Sequence, residues 1–378
     1  MRIAMISTYP PIECGIATYA ENLCEALKRE KKETLVLSQY GASGAKVFPV
    51  FNPLDDNIAA EIFVVAAKLT PDVIHIQHEF GLYGFQQGVQ INDLILRFRI
   101  AGVPVVTTLH TVKDPLPRNE KIILGNIVRE CDRVIVHEAA QKKILESHFG
   151  PQKKIRVIPH GIRDMEPVAG AKAKLNIADD QKVVLLCGYF RPTKRFDKIV
   201  RLWPRVVENH PDYVLLIAGK LRGLEYTDYQ ADFFELINQS PVRDQIITLR
   251  GQFPQHTFDT IVSAADVMVL PYEVGAQSGI LANAAAFGLP VVTSDLASFV
   301  DWNRDSGGGL TADGDDDYVR HIQSILEDDD YRRELSRKIS AYAKPFLWSQ
   351  TVKDHLLIYE EVIRVPYGDA RYFYVPEE

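Results

Sequence analysis

"KVVLLCGYFRPTKRFDKIVRLWPRVVENHPDYVLLIAGK", residues 182–220, is the stretch on which the fold turns. Two apolar runs, "KVVLLCGYF" and "YVLLIAGK", flank the amphipathic "FDKIVRLWPRVVENH". Continuous apolar strands with a helix between them read as a βαβ unit, whose parallel strands are covered by helices on both faces. The pattern continues downstream. "QIITLRG", "DVMVLPY" and "PVVTSD" are further strands, with "HTFDTIVSAA" and "GILANAAAFG" as helices. Upstream, "RIAMIS", "ETLVLSQ", "VIHIQ", "PVVTTLH", "RVIVHE" and "IRVIPHG" repeat the arrangement, with helices such as "GIATYAENLCEALKRE" and "AAQKKILESHF". Between the two series, "IRDMEPVAGAKAKLNI" has neither period and reads as a linker. The fold class is therefore α/β, as two doubly wound Rossmann-like domains in tandem, with strand ends expected to face each other across a cleft.

Size and composition agree with this. A chain of 378 residues, 46% of them hydrophobic, exceeds one ordinary core and suits two domains. A formal charge of −7 argues against a nucleic-acid partner, since a phosphate backbone calls for a net basic surface. The four cysteines, Cys14, Cys24, Cys131 and Cys187, follow no zinc or disulfide spacing and read as reduced thiols. The start, "MRIAMISTYPP", turns polar too soon for a signal peptide, and no apolar run is long enough to span a bilayer. A cytoplasmic location is expected. The Asp clusters "ADGDDDY" and "LEDDDYRREL" suit a solvated loop and a helix N-terminus rather than a metal site.

The ordered series "STYPPIECGIATYAENL", "VIHIQHEFG", "VVTTLH", "VIPHGI", "GYFRPTKRFDKIV", "LLIAGK", "AADVMVLPY" and "AAAFGLPVVTSD" resembles the family 4 retaining glycosyltransferases of the GT-B fold. The resemblance extends over almost the whole chain and lies in the order and spacing of the motifs. The final "FLWSQTVKDHLLIYEEVIR" is similar to that family's last helices, which return to complete the first domain. The resemblance thus implies an N-terminal acceptor-side domain of residues 1–164 plus 350–378, and a C-terminal nucleotide-sugar-binding domain of residues 165–349. It implies transfer of a sugar, with retention, from a GDP- or UDP-sugar, with GDP-mannose a leaning, to a glycan or other acceptor hydroxyl, in glycan or polysaccharide biosynthesis. A sugar-nucleotide epimerase of the same fold and a non-catalytic sugar-nucleotide-binding protein are the alternatives.

Residue chemistry points to particular positions. Gly15 opens a helix directly after the first strand, where free N–H groups can meet an anion. His78 and Glu79 follow another strand, and the resemblance assigns them to the acceptor side. It also assigns His110, at the end of "VVTTLH", to the transferred sugar as a catalytic residue. In "GYFRPTKR", Gly188 precedes two cations, Arg191 and Lys194, suited to a diphosphate, Arg as a bidentate fork and Lys as a point charge. The family pattern has Arg directly after the Gly. Here Tyr189 stands there, and Arg191 is expected to substitute. In "PYEVGAQSGILANAAAFGLP", Gly275 and Asn283 occupy positions where the family carries Glu, with Glu273 nearby as an alternative carboxylate. Gln277 and Ser278 precede a helix on which Gly279 and Ile280 offer backbone N–H groups to the diphosphate. Ser278 as a helix N-cap is compatible with that role. Asn283 is expected on the ribose hydroxyls. The resemblance implies no metal and no other cofactor beyond the nucleotide-sugar. A basic region at Lys142, Lys143, Lys153, Lys154 and Arg156 suits either a solvated face or peripheral contact with anionic lipid.

Overall fold

The computed structural model describes residues 1–220, 226–251, 253–274 and 279–364. The chain divides into two compact units. Unit 1 is Met1–Gly161 with the segment that begins at Trp348, and unit 2 is Ile162–Leu347.

Unit 1 holds a seven-stranded parallel sheet. Its strands are β1 (Arg2–Ile6), β2 (Glu33–Gln39), β3 (Val47–Phe51), β4 (Val73–His78), β5 (Val105–Leu109), β6 (Arg133–Val136) and β7 (Ile155–Val157), in the order β3-β2-β1-β4-β5-β6-β7. Unit 2 holds β8 (Lys182–Tyr189), β9 (Tyr213–Lys220), β10 (Ile246–Arg250), β11 (Val267–Leu270), β12 (Val291–Ser294) and β13 (Gly309–Ala312), in the order β10-β9-β8-β11-β12-β13. In both sheets the chain builds outward from its first strand in one direction and then reverses. The crevice at that reversal, beyond the carboxyl ends of β1 and β4 or of β8 and β11, is where open α/β sheets take their ligands.

Each sheet is buried on both faces, which explains the unbroken apolar runs. In unit 1, one face packs Ile6, Ile74, Ile76 and Leu109 against helices Ile58–Leu69, Gln90–Ile100 and Arg118–Glu130. The opposite face packs Ile3, Met5, Val36, Val73 and Val106 against Tyr19, Leu23 and Leu27 of helix Gly15–Arg29, and against Val352, Tyr359 and Val362 of helix Trp348–Arg364. The last described helix is thus part of the core of unit 1. In unit 2, helix Phe196–Val206 buries Phe196, Ile199, Val200, Trp203 and Val206 on β8 and its neighbours.

Two strands, β3 and β13, are absent from the sequence reading, and both lie at sheet edges. "VFPVF" carries Pro49, which an edge strand tolerates, and "GLTA" has too few apolar residues to stand out. The unit boundaries also fall a little earlier than residues 164 and 349. Ile162 donates its N–H to Phe346 O at 2.7 Å and bridges to Leu347, while Trp348 packs its ring against Tyr19 at 5.0 Å. The segment read as a linker contains a short helix, Ala171–Lys174, anchored by Lys172 Nζ on Asp266 at 3.0 Å.

Candidate active site

The reversal in unit 2 collects most of the donor-side candidates. Gly188, near the end of β8, has φ of +138°, a region that residues with a Cβ rarely adopt, and it turns the chain into the loop that carries the cations. Pro192–Lys194 forms a single 3-10 turn, and Arg195 leaves it in the left-handed region. The loop after β11 meets this turn. Glu273 N donates to Thr193 O at 3.0 Å, and Glu273 is ion-paired with Arg195, which also lies 3.6 Å from Asp197. Glu273 therefore braces the two loops, and its carboxylate is engaged by a cation of the fold.

That bracing leaves Lys194 above the ring of Tyr272, its Nζ 3.4 Å from the centroid. Tyr272 is buried, with its hydroxyl directed at Cys187 O (3.5 Å), and its backbone carbonyl accepts from Ser294 Oγ at 2.7 Å. Burial, and then the neighbouring charge of Arg191, push Lys194 down to about 8. Arg191 lies over Tyr189 at 5.5 Å, and its Nε is buried without a hydrogen-bond partner. Among the described residues neither Arg191 nor Lys194 has a carboxylate partner. Two adjacent, partly desolvated cations without counter-ions form a site that an anion would stabilise.

Helix Gly279–Ala286 follows, with Gly279 and Ile280 in its first turn. Gly275, Gln277 and Ser278 lie outside the described residues. Asn283, one turn into the helix, donates Nδ2 to Gly279 O at 2.8 Å, and its Oδ1 accepts from Arg163 Nη2 at 3.2 Å. Arg163 in turn forks onto Asp259, at 2.7 and 3.2 Å.

In unit 1 the reversal lies between β1 and β4. Helix Gly15–Arg29 begins there, with no acidic residue in its first turn and no side-chain cap. A Cβ on Gly15 would meet nothing, so packing within unit 1 does not require the glycine. His78 ends β4 fully buried, both ring nitrogens lack a partner among the described residues, and burial pushes it down to about 4. Glu79 holds loops together: Oε1 accepts from Phe80 N (2.9 Å) and Oε2 from Thr111 Oγ1 (2.5 Å).

His110 follows β5 and is partly buried. Burial, with His137, His160, His78 and His75 nearby, holds it well below the usual imidazole range, so it is neutral at pH 7. Gln77 sets its tautomer. The Gln77 amide nitrogen donates to His75 Nε2 at 3.2 Å, while its oxygen lies 2.9 Å from His110 Nε2. His110 Nε2 therefore carries the proton, and Nδ1 remains as an acceptor. His75 Nδ1 donates to the Tyr359 hydroxyl at 2.6 Å, and Tyr19, whose hydroxyl faces His355 at 3.3 Å, packs its ring 4.8 Å from that of His110. Tyr19, Gln77, Tyr272 and Arg163 are absent from the sequence reading. Each is an ordinary core or linker residue by local pattern.

In the basic region the charges are largely engaged. Lys142 pairs with Glu146 at 3.9 Å, and Lys154 Nζ donates to Arg129 O (2.6 Å) and Cys131 O (2.9 Å) at the end of helix Arg118–Glu130. Arg156 lies 3.5 Å from Glu361. Among the described residues no helix is long and apolar enough to cross a membrane.

Comparison with known proteins gives the same architecture. The Anabaena protein HepE, solved with UDP and glucose, matches with a TM-score of 0.67 at 15% identity, over 96% of this chain and 100% of its own. Sucrose-phosphate synthase from Thermosynechococcus elongatus matches with a TM-score of 0.69 at 18% identity, over 96% and 98%. Phosphatidyl-myo-inositol mannosyltransferase of Mycolicibacterium smegmatis is 25% identical over 96% of this chain and 94% of its own length. D-inositol 3-phosphate glycosyltransferase of Nocardia farcinica is 25% identical over 80% and 70%. Residues 14–165 match Glycosyltransferase Family 4 and residues 169–344 match Glycosyl transferases group 1. With both units matched in order, the chain belongs to the family 4, group 1 glycosyltransferases of the GT-B fold.

Proposed function

We propose that the protein is a retaining glycosyltransferase that moves a sugar from a nucleotide-sugar donor to a hydroxyl of a glycan or other acceptor, with no metal required, in the cytoplasm. The observation that carries this reading is the Arg191–Lys194 pair at the β8/β11 reversal, which has no counter-ion among the described residues. A nucleoside diphosphate supplies that counter-ion. As the bond from the anomeric carbon to the donor oxygen breaks, negative charge grows on the diphosphate. Arg191, Lys194 and the N–H groups of Gly279 and Ile280 stabilise that charge most strongly in the transition state. Neutral His110 offers Nδ1 as an acceptor to a sugar hydroxyl, with Gln77 fixing the orientation of the ring. His78 and Glu79 belong to the acceptor side. The Mycolicibacterium relative, a mannosyltransferase by name, supports a mannose donor, for which GDP-mannose is the first to try, and the HepE structure with UDP and glucose supports UDP-sugars beside it.

A thermal-shift panel of GDP, UDP, ADP and TDP tests the donor site. At 100 times its dissociation constant, the cognate nucleotide should stabilise the fold by roughly 2.7 kcal/mol. No response to any of the four at millimolar concentration refutes the donor-site reading. Incubation with GDP-mannose and UDP-glucose, with and without glycan acceptors, then tests the chemistry. Acceptor-dependent release of nucleoside diphosphate supports transfer, and NMR of the product's anomeric configuration reads retention. Isomerisation of the donor without acceptor marks an epimerase, and binding without turnover of any donor marks a binding protein.

A further inference from the structure

Asn283 stands where a carboxylate is expected, yet a carboxylate is close by on another element. Helix Gln255–Ser263 presents Asp259, whose oxygens take both terminal nitrogens of Arg163, Nη2 to Oδ1 at 2.7 Å and Nη1 to Oδ2 at 3.2 Å. Gln255 Nε2 adds a third hydrogen bond to Asp259 Oδ1 at 2.9 Å. The pair is largely buried, with side-chain exposures of 17% for Arg163 and 11% for Asp259. Arg163 Nη2 also reaches Asn283 Oδ1 at 3.2 Å, so one guanidinium nitrogen joins the carboxylate to the carboxamide. Arg163 thereby orients the amide of Asn283. With the oxygen turned to a cation, the nitrogen is the end that donates to Gly279 O at 2.8 Å, in the first turn of the helix.

We propose that Asp259, acting through Arg163, is a positioning residue for donor binding. It neutralises and aims the guanidinium that fixes the Asn283 carboxamide beside the first turn of helix Gly279–Ala286. Position 283 thus receives the influence of a carboxylate at position 259 through Arg163, two residues removed from the ligand. The inference rests on the donor-site reading and names a residue that this reading leaves out. An Arg163–Asp259 pair that merely pinned the start of unit 2 would set stability and leave nucleotide affinity alone.

The test is calorimetric titration of GDP and UDP into the full-length protein and its variants, with melting temperatures measured beside it. Asn283→Ala and Asp259→Asn should each weaken the cognate nucleotide about fivefold, the scale of one hydrogen bond. Because both act on one contact, Asp259→Asn with Asn283→Ala should bind no more weakly than Asn283→Ala alone. Asp259→Asn leaves a buried guanidinium without its carboxylate and can fail to fold. Asp259→Asn with Asn283→Glu restores a carboxylate to Arg163 from the other helix, and should fold and bind within about twofold of the wild type. Wild-type affinity in a folded Asp259→Asn variant overturns the proposal. So do multiplicative losses when Asp259→Asn is combined with Asn283→Ala. A folded protein carrying Asp259→Asn with Asn283→Glu that binds as weakly as Asn283→Ala overturns it as well. A wild-type protein that binds neither nucleotide refutes the donor-site reading itself, which separates the two failures.

Discussion

The wild type should lose nucleotide affinity in alkali, and Lys194→Arg should abolish that loss. In the free protein Lys194 lies against the face of Tyr272 and beside Arg191, and burial followed by that neighbouring charge lowers it to about 8. A bound diphosphate returns the pKa toward the usual lysine value of roughly 10.4. Protonation and binding are therefore coupled. Near pH 7 roughly 90% of the free sites carry the charge, and near pH 9 roughly 10% do, so affinity should fall about tenfold, or about 1.4 kcal/mol, across that range. The free protein should respond in the opposite sense. Between about 8 and the unfolded value the native state binds fewer protons than the unfolded chain, so this group adds stability as pH rises through that window. Arginine keeps its charge throughout and removes both effects. The assay is titration of the cognate nucleoside diphosphate into wild type and Lys194→Arg from about pH 7 to about pH 9 at constant ionic strength. Ionisation of the nucleotide itself affects both proteins alike, so the difference between the two curves isolates Lys194. Parallel curves, or a Lys194→Ala variant that binds as tightly as wild type at the neutral end of the series, refute the reasoning.

Three further outcomes are expected. His110→Ala should leave nucleotide affinity unchanged and lower transfer roughly 10²-fold, read by transfer kinetics beside titration; unchanged turnover removes His110 from the site. Acid should destabilise unit 1, because burial holds His78, His137 and His355 at about 4, against about 6.5 in the unfolded chain. Between those values the unfolded chain binds more protons, so stability present above about pH 6.5 is lost toward about pH 4, by up to about 3 kcal/mol per group. Melting temperature against pH checks it, and a flat profile over that window rejects the assignment. Treatment with EDTA should change neither nucleotide affinity nor transfer rate, and loss restored by a divalent cation would assign a metal to the reaction.

Local pattern was enough for the α/β class and for most of the strands, because an apolar run buried on both faces records its environment residue by residue. Local pattern also pointed to Gly188, Arg191 and Lys194, since they follow a strand or end one, and loops at strand ends carry the chemistry of such sheets; His110 was singled out by the family resemblance. Where burial did not mark the sequence, as in edge strands β3 and β13, the reading had nothing to detect. The sheet order decided the rest. Strand β8 lies beside β11 and not beside β10, and that adjacency sets Lys194 on Tyr272 and joins Glu273 to Arg195. Asp259 and Asn283 lie 96 and 120 residues from Arg163, and Tyr359 lies 284 residues from His75. Such pairings depend on the crossing of whole elements and on side-chain direction at the crossing. A single chain's periodicity reports which face of an element is buried, but the partner that buries it is chosen only when the strands order themselves in the sheet.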